Sequence, residues 1–132
     1  MLQTGMKGYA EIVVTEDLLA SRAGSGLVAV YATPAMIAGI EGTAAASVAG
    51  ELAEGQTTVG AHVDVSHVAA TPLGMKVHFE TELVEIAPNG KILTFKVEAY
   101  DEAGLIGKGT HVRAIVNKEK FESRVREKLA SM

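Results

Sequence analysis

The spacing of apolar residues along the chain changes character several times. Tyr9 to Val14 reads as a short strand. Thr15 to Gly26 mixes acidic, small and glycine residues, which predicts a helical turn and a loop. Leu27 to Ala32 is apolar and reads as extended. Thr33 and Pro34 then open a helix. Thr33 can cap it, and Pro34 at the first helical position loses an N–H that would have no partner there. The helix runs to about Leu52 and is rich in alanine, with Ile37, Ile40, Val48 and Leu52 as its larger apolar residues. A helix apolar on almost every side is expected to be buried, and its small residues would let a sheet approach closely.

After Glu54-Gly55 the period becomes two. Val59, Ala61, Val63, Val65 and His67 share one parity, and Thr58, Gly60, His62, Asp64 and Ser66 the other. This predicts a half-buried strand whose apolar face ends at His67. Thr71-Pro72-Leu73-Gly74 breaks it as a turn. Met75, Val77, Phe79, Thr81 and Leu83 alternate with charged residues and His78 in the next strand. Pro88-Asn89-Gly90 predicts a hairpin turn into a strand with Leu93, Phe95, Val97 and Ala99 inward. After Asp101-Glu102-Ala103-Gly104 a fourth strand covers Leu105 to Asn117, with Ile106, Thr110, Val112, Ala114 and Val116 assigned to its buried face. An amphipathic helix with Phe121, Val125 and Leu129 in line follows Asn117. A strand, a long apolar helix and four antiparallel strands predict an α+β layer architecture.

The 132 residues suit one domain spanning 1–132. With 48% hydrophobic and 21% charged residues the composition is that of an ordinary globular protein. No cysteine is present, which removes a thiol nucleophile, disulfides and thiolate metal sites, and fits a reducing cytoplasm. A net charge of -4 and 5% aromatics leave neither a basic patch nor a stacking platform for nucleic acid. Basic residues between Lys118 and Lys128 are interleaved with Glu119, Glu122 and Glu127, as on a solvated helix face. Met1 to Tyr9 lacks the pattern of a secretory signal. Ala23 to Ile40 carries no charge, but Gly24, Ser25, Gly26, Thr33, Pro34 and Gly39 interrupt it, so no membrane span is expected.

Three residues stand out chemically. Glu41 is the only charged residue between Arg22 and Glu51, surrounded by alanines. An unpaired buried carboxylate is costly, so this one should pair, be hydrated or serve a function. His67 closes an apolar strand face, and an imidazole with an ordinary pKa of about 6.5 suits acid–base work. Thr33 would sit at the positive end of the central helix, where backbone N–H groups can polarise a carbonyl oxygen. His62 and His67 have opposite strand parity and cannot hold one metal from a regular strand, so no metal is expected. His111 and Arg113 lie opposite the assigned apolar parity, which favours solvent for His111.

Three stretches resemble the hotdog-fold thioesterase family related to fluoroacetyl-CoA thioesterase. They are Tyr31-Ala32-Thr33 with Glu41 eight residues on, the run Val65-Ser66-His67-Val68-Ala69-Ala70-Thr71-Pro72-Leu73-Gly74, and Gly104 to Arg113. The resemblance extends from about Ala29 to the C-terminus. It implies a hotdog fold, an antiparallel sheet wrapped around a long central helix. It implies a thioester hydrolase acting on acyl-CoA, with Thr33, Glu41 and His67 as catalytic residues. It implies no cofactor, because coenzyme A belongs to the substrate, and a homodimer with sites near the subunit interface. The fluoroacetate-specific pattern includes an aromatic lid and a tryptophan after the glutamate. Here residues 15–28 contain no aromatic and Gly42 follows Glu41, so a different or broader range of small or medium acyl groups is expected. Rival expectations are an enoyl-thioester hydratase on the same fold and a non-catalytic acyl-thioester binding module.

Overall fold

The computed structural model describes all residues from Met1 to Met132. The elements in order are β1 (Lys7–Val13), a 3₁₀ turn (Glu16–Leu18), α1 (Ala20–Ala23), α2 (Thr33–Ala49), β2 (Gln56–His67), β3 (Lys76–Ile86), β4 (Ile92–Asp101), β5 (Gly104–Asn117) and α3 (Lys118–Ala130). The five strands form one antiparallel sheet in the order β1-β3-β4-β5-β2. Helix α2 packs across one face of it, touching β1 to β4. This is the expected α+β arrangement of a sheet around a central helix.

The core lies between helix and sheet. Met36, Ile40, Ala44 and Val48 meet Val77, Phe79 and Leu83 of β3 and Leu93, Phe95, Val97 and Ala99 of β4. Each large side chain buried this way contributes roughly 1.5–3 kcal/mol. The inward residues of β3 and β4 are those that the alternation predicts. At Gly39 the helix comes so near the sheet that an added Cβ would collide with the Phe79 ring.

Several expectations are corrected. Leu27 to Ala32 forms no strand; only Tyr31 bridges to Leu19. Ala32, not Thr33, is the N-cap of α2, since the Met36 N–H donates to the Ala32 carbonyl. The helix stops at Ala49 and is not buried all round: Ala38, Gly42, Ala46 and Ala49 form an exposed line of small residues. In α3, Asn117 accepts from the Lys120 N–H as a cap, but Val125 and Leu129 remain largely exposed.

The main departure concerns parity in β2 and β5. A register shift leaves Ala61 of β2 unpaired, between the Gly60–Arg113 and His62–Val112 pairs. Thr58 and Gly60 therefore face the helix before this bulge, and Val65 and His67 after it. In β5 a second shift leaves Ile106 unpaired, between the Leu105–Tyr100 and Gly107–Ala99 pairs. Ile106 and Gly107 are both buried, and beyond them His111, Arg113 and Ile115 point inward. A bulge inserts one residue and so inverts the alternation downstream. Extending the parity of Ile106 to Val116 therefore selects the wrong face.

Candidate active site

The segment from Val65 to Gly74 holds the entrance to α2 in two ways. The Tyr31 N–H donates to the Thr71 carbonyl at 2.9 Å, while the buried Thr71 hydroxyl donates to Asp101 at 2.8 Å. Two residues after Tyr31, the Thr33 Oγ1 lies 2.7 Å from His67 Nδ1. The hydroxyl expected to cap the helix is instead engaged with the imidazole. His67 sits at the last position of β2, and the Val68 N–H donates to the Ile106 carbonyl beside it. Strand end and helix start are thus tied together by backbone and side chain.

Burial pushes the His67 pKa below its ordinary value of 6.5, an effect offset in part by the Ala69 backbone. Its Nε2 is buried without a hydrogen-bond partner. An unpaired buried nitrogen costs roughly 1–3 kcal/mol, a penalty that native structures retain where a group has other work. Thr33 and His67 line an open cleft of about 330 Å³ together with Ala20, Val30, Tyr31 and Val68. Burial pushes the Tyr31 hydroxyl up to about 12. Pro34 has no N–H, and the first helical bond comes from Met36, so the Thr33 and Ala35 N–H groups stay outside the helix ladder. The cleft therefore offers a hydroxyl, an imidazole and the positive end of a 17-residue helix.

Glu41 lies elsewhere. Eight residues of helix separate it from Thr33, about 12 Å along the axis. Its carboxylate is alone in the sequence but not in space: Oε2 is 3.7 Å from Arg113 Nη1 and 3.9 Å from His111 Nε2, with the side chain 36% exposed. A Cβ on Gly60 would approach Glu41 Oε2 to 2.6 Å, so the bare backbone of β2 makes room for the carboxylate. Arg113 is almost fully buried. Its Nε donates to Thr58 Oγ1 at 2.8 Å and its Nη2 to the Thr58 carbonyl at 2.9 Å. Burial pulls the Arg113 pKa down, and the facing Glu41 opposes that shift.

The chain thus brings Thr33 and His67 together and holds Glu41 apart, in a second cluster with Arg113 and His111. His111, expected to favour solvent, is fully buried, as is most of Arg113. Both lie downstream of the β5 bulge, which hides their inward parity. Gly60 was the available signal on the β2 side, since an isolated glycine inside a strand often marks a bulge or a close approach. His62 is exposed, and His78 is stacked between Tyr9 and Tyr100 on the outer face of the sheet.

Comparison with known proteins shows the family and the fold. The family model of the fluoroacetyl-CoA-specific thioesterase matches residues 14–119. The chain is 37% identical over 99 residues to the fluoroacetyl-CoA thioesterase of Streptantibioticus cattleyicolor, covering 75% of this chain and 70% of that protein. The solved structure of the fluoroacetyl-CoA thioesterase FlK superposes with a TM-score of 0.91 at 30% identity, over 97% of this chain and 98% of that one. A thioesterase superfamily member from Thermus thermophilus gives 0.88 at 29% identity, over 100% and 98% of the two chains. The chain belongs to the fluoroacetyl-CoA-specific thioesterase family and is a thioester hydrolase built on the hotdog fold.

Proposed function

We propose that this thioesterase hydrolyses small to medium acyl-CoA thioesters, using Thr33 and His67 of one protomer and Glu41 of the other in a homodimer. The observation that carries the assignment is the Thr33–His67 pair, 2.7 Å apart in an open cleft at the helix N-terminus. The thioester carbonyl oxygen would lie against the Thr33 and Ala35 N–H groups, where a developing negative charge meets preorganised donors. Glu41 delivers the oxygen nucleophile, its own or that of a water it deprotonates. His67, oriented by Thr33, attends the thiolate that leaves. A solved complex of a FlK mutant with acetyl-CoA supports the coenzyme as the shared part of the substrate.

Two features support the dimer. Strand β2 is a sheet edge with unpaired backbone groups. On α2, which packs against β2, Ala38, Gly42, Ala46 and Ala49 form an exposed line of small residues that a second helix could approach closely. A two-fold axis through that line near Ala38 would set residue 34 of one helix opposite residue 42 of the other, joining the two half-sites. The cleft wall carries the small residues Ala20, Ala69 and Ala70 with Tyr31 as its one aromatic, and residues 15–28 supply no aromatic lid, which fits an acyl range wider than fluoroacetyl.

Thiol release across short, branched, aromatic and longer acyl-CoA thioesters tests the reading. The expected result is turnover of several small or medium acyl groups without a strong preference for fluoroacetyl. No release from any of them, or hydration of crotonyl-CoA without release, would overturn it.

A further inference from the structure

His111 has been given no role in the chemistry so far, yet it is fully buried and both of its ring nitrogens are engaged. Nδ1 lies 2.8 Å from the carbonyl oxygen of His62, the residue that follows the bulge in β2. Nε2 lies 3.1 Å from Nη1 of Arg113. That same Nη1 is the nitrogen that faces Glu41. Donor arithmetic fixes the ring. A guanidinium has only donors, so Nε2 must accept; a carbonyl can only accept, so Nδ1 must carry the proton. The ring is therefore the neutral Nδ1–H tautomer. An imidazolium would set N–H against N–H and one cation against another.

Two consequences follow. The 3.9 Å approach of His111 Nε2 to Glu41 is not an ion pair, and the attraction on the carboxylate comes from Arg113 alone. Arg113 is also aimed from two sides. Thr58 holds Nε and Nη2, which leaves Nη1 to be directed by His111. We propose that His111 is a positioning residue: held as the Nδ1–H tautomer between the β2 bulge and Arg113, it aims the guanidinium at Glu41 and so sets the carboxylate for reaction. This rests on Glu41 acting in thioester hydrolysis, as argued above.

The two hydrogen bonds of His111 can be separated by substitution. His111→Asn can keep a donor near the Nδ1 position for the His62 carbonyl but loses the acceptor for Arg113. His111→Gln can place an acceptor near the Nε2 position for Arg113 but releases His62. A purely structural anchor would favour the asparagine variant. The positioning role predicts the reverse: the glutamine variant stays within a few-fold of wild type, whereas the asparagine variant loses roughly tenfold or more in kcat with little change in KM. Equal losses, equal retention or the opposite order, in variants with native circular dichroism, would overturn the proposal.

Nitrogen-15 NMR of the histidine rings in the wild-type protein gives a second test that needs no variant to fold. The expected signature for His111 is a protonated Nδ1 and an unprotonated Nε2. A proton on Nε2 refutes the proposal. The NMR result does not depend on turnover, so an inactive protein with the expected tautomer would fault the assignment of Glu41 and not that of His111.

Discussion

At the scale of single residues, the account depends on where three side chains find partners. Glu41 stands out in the sequence because no charge surrounds it, yet its counter-charge, Arg113, lies 72 positions away and reaches it only through the fold. Replacing Glu41 with Gln, or His67 with Ala, should lower thiol release by about 10²–10⁴-fold, the range for positioned acid–base groups. Full activity in either variant would remove that residue from the mechanism. Gly60→Ala probes the space left for the carboxylate. The added Cβ meets the end of a flexible side chain, so the melting temperature should hardly move. Displacing Glu41 by about an ångström can still cost on the order of 10²-fold in kcat. The burial of His67 has a defined pH signature. A histidine pKa lowered on folding adds stability above its unfolded value of about 6.5. That contribution is lost as pH falls through the lower folded value. Thermal melts from pH 8 to pH 5 should therefore show wild type losing stability against His67→Gln below about pH 6.5. A wild-type advantage that grows with acidification would contradict the shift.

At the scale of elements, the contact between α2 and the sheet is sterically tight at Gly39. Gly39→Ala drives a Cβ into the Phe79 ring, which is packed in the core and cannot yield cheaply. A loss of roughly 1–3 kcal/mol is expected from chemical denaturation, as for other overpacked cores. A change below a few tenths would mean that the helix stands farther from the sheet. How much was legible beforehand follows the regularity of each element. Val77, Phe79, Leu93, Phe95 and Val97 were readable because β3 and β4 keep a strict alternation through their central residues. The start of α2 at Thr33-Pro34 and the end of β2 at His67 were readable as well, since a Thr-Pro pair and a following turn are local signals. Arg113 and His111 were not. One inserted residue at Ile106 inverts the faces of β5, and the only local mark of that insertion is the neighbouring Gly107.

At the scale of the whole molecule, the proposed site residues of one chain lie in two clusters, Thr33 with His67 and Glu41 with Arg113. In the proposed dimer, the exposed small-residue line on α2 and the free edge of β2 would be the surface through which a second copy completes them. Gly42 tests that surface. A Cβ there meets nothing within its own chain, so Gly42→Arg should leave the protomer folded. Sedimentation should then report a monomer, and thiol release should fall with it; a stable dimer, or a fully active monomer, would contradict this surface. The most direct test of the shared site is subunit complementation. Glu41→Gln and His67→Ala protomers, each inactive alone, are mixed, allowed to exchange and assayed for thiol release. A site built across the interface restores one working centre in each mixed dimer, so activity should return to about a quarter of wild type. No recovery despite verified exchange would mean that each site lies within one chain, and would contradict the account.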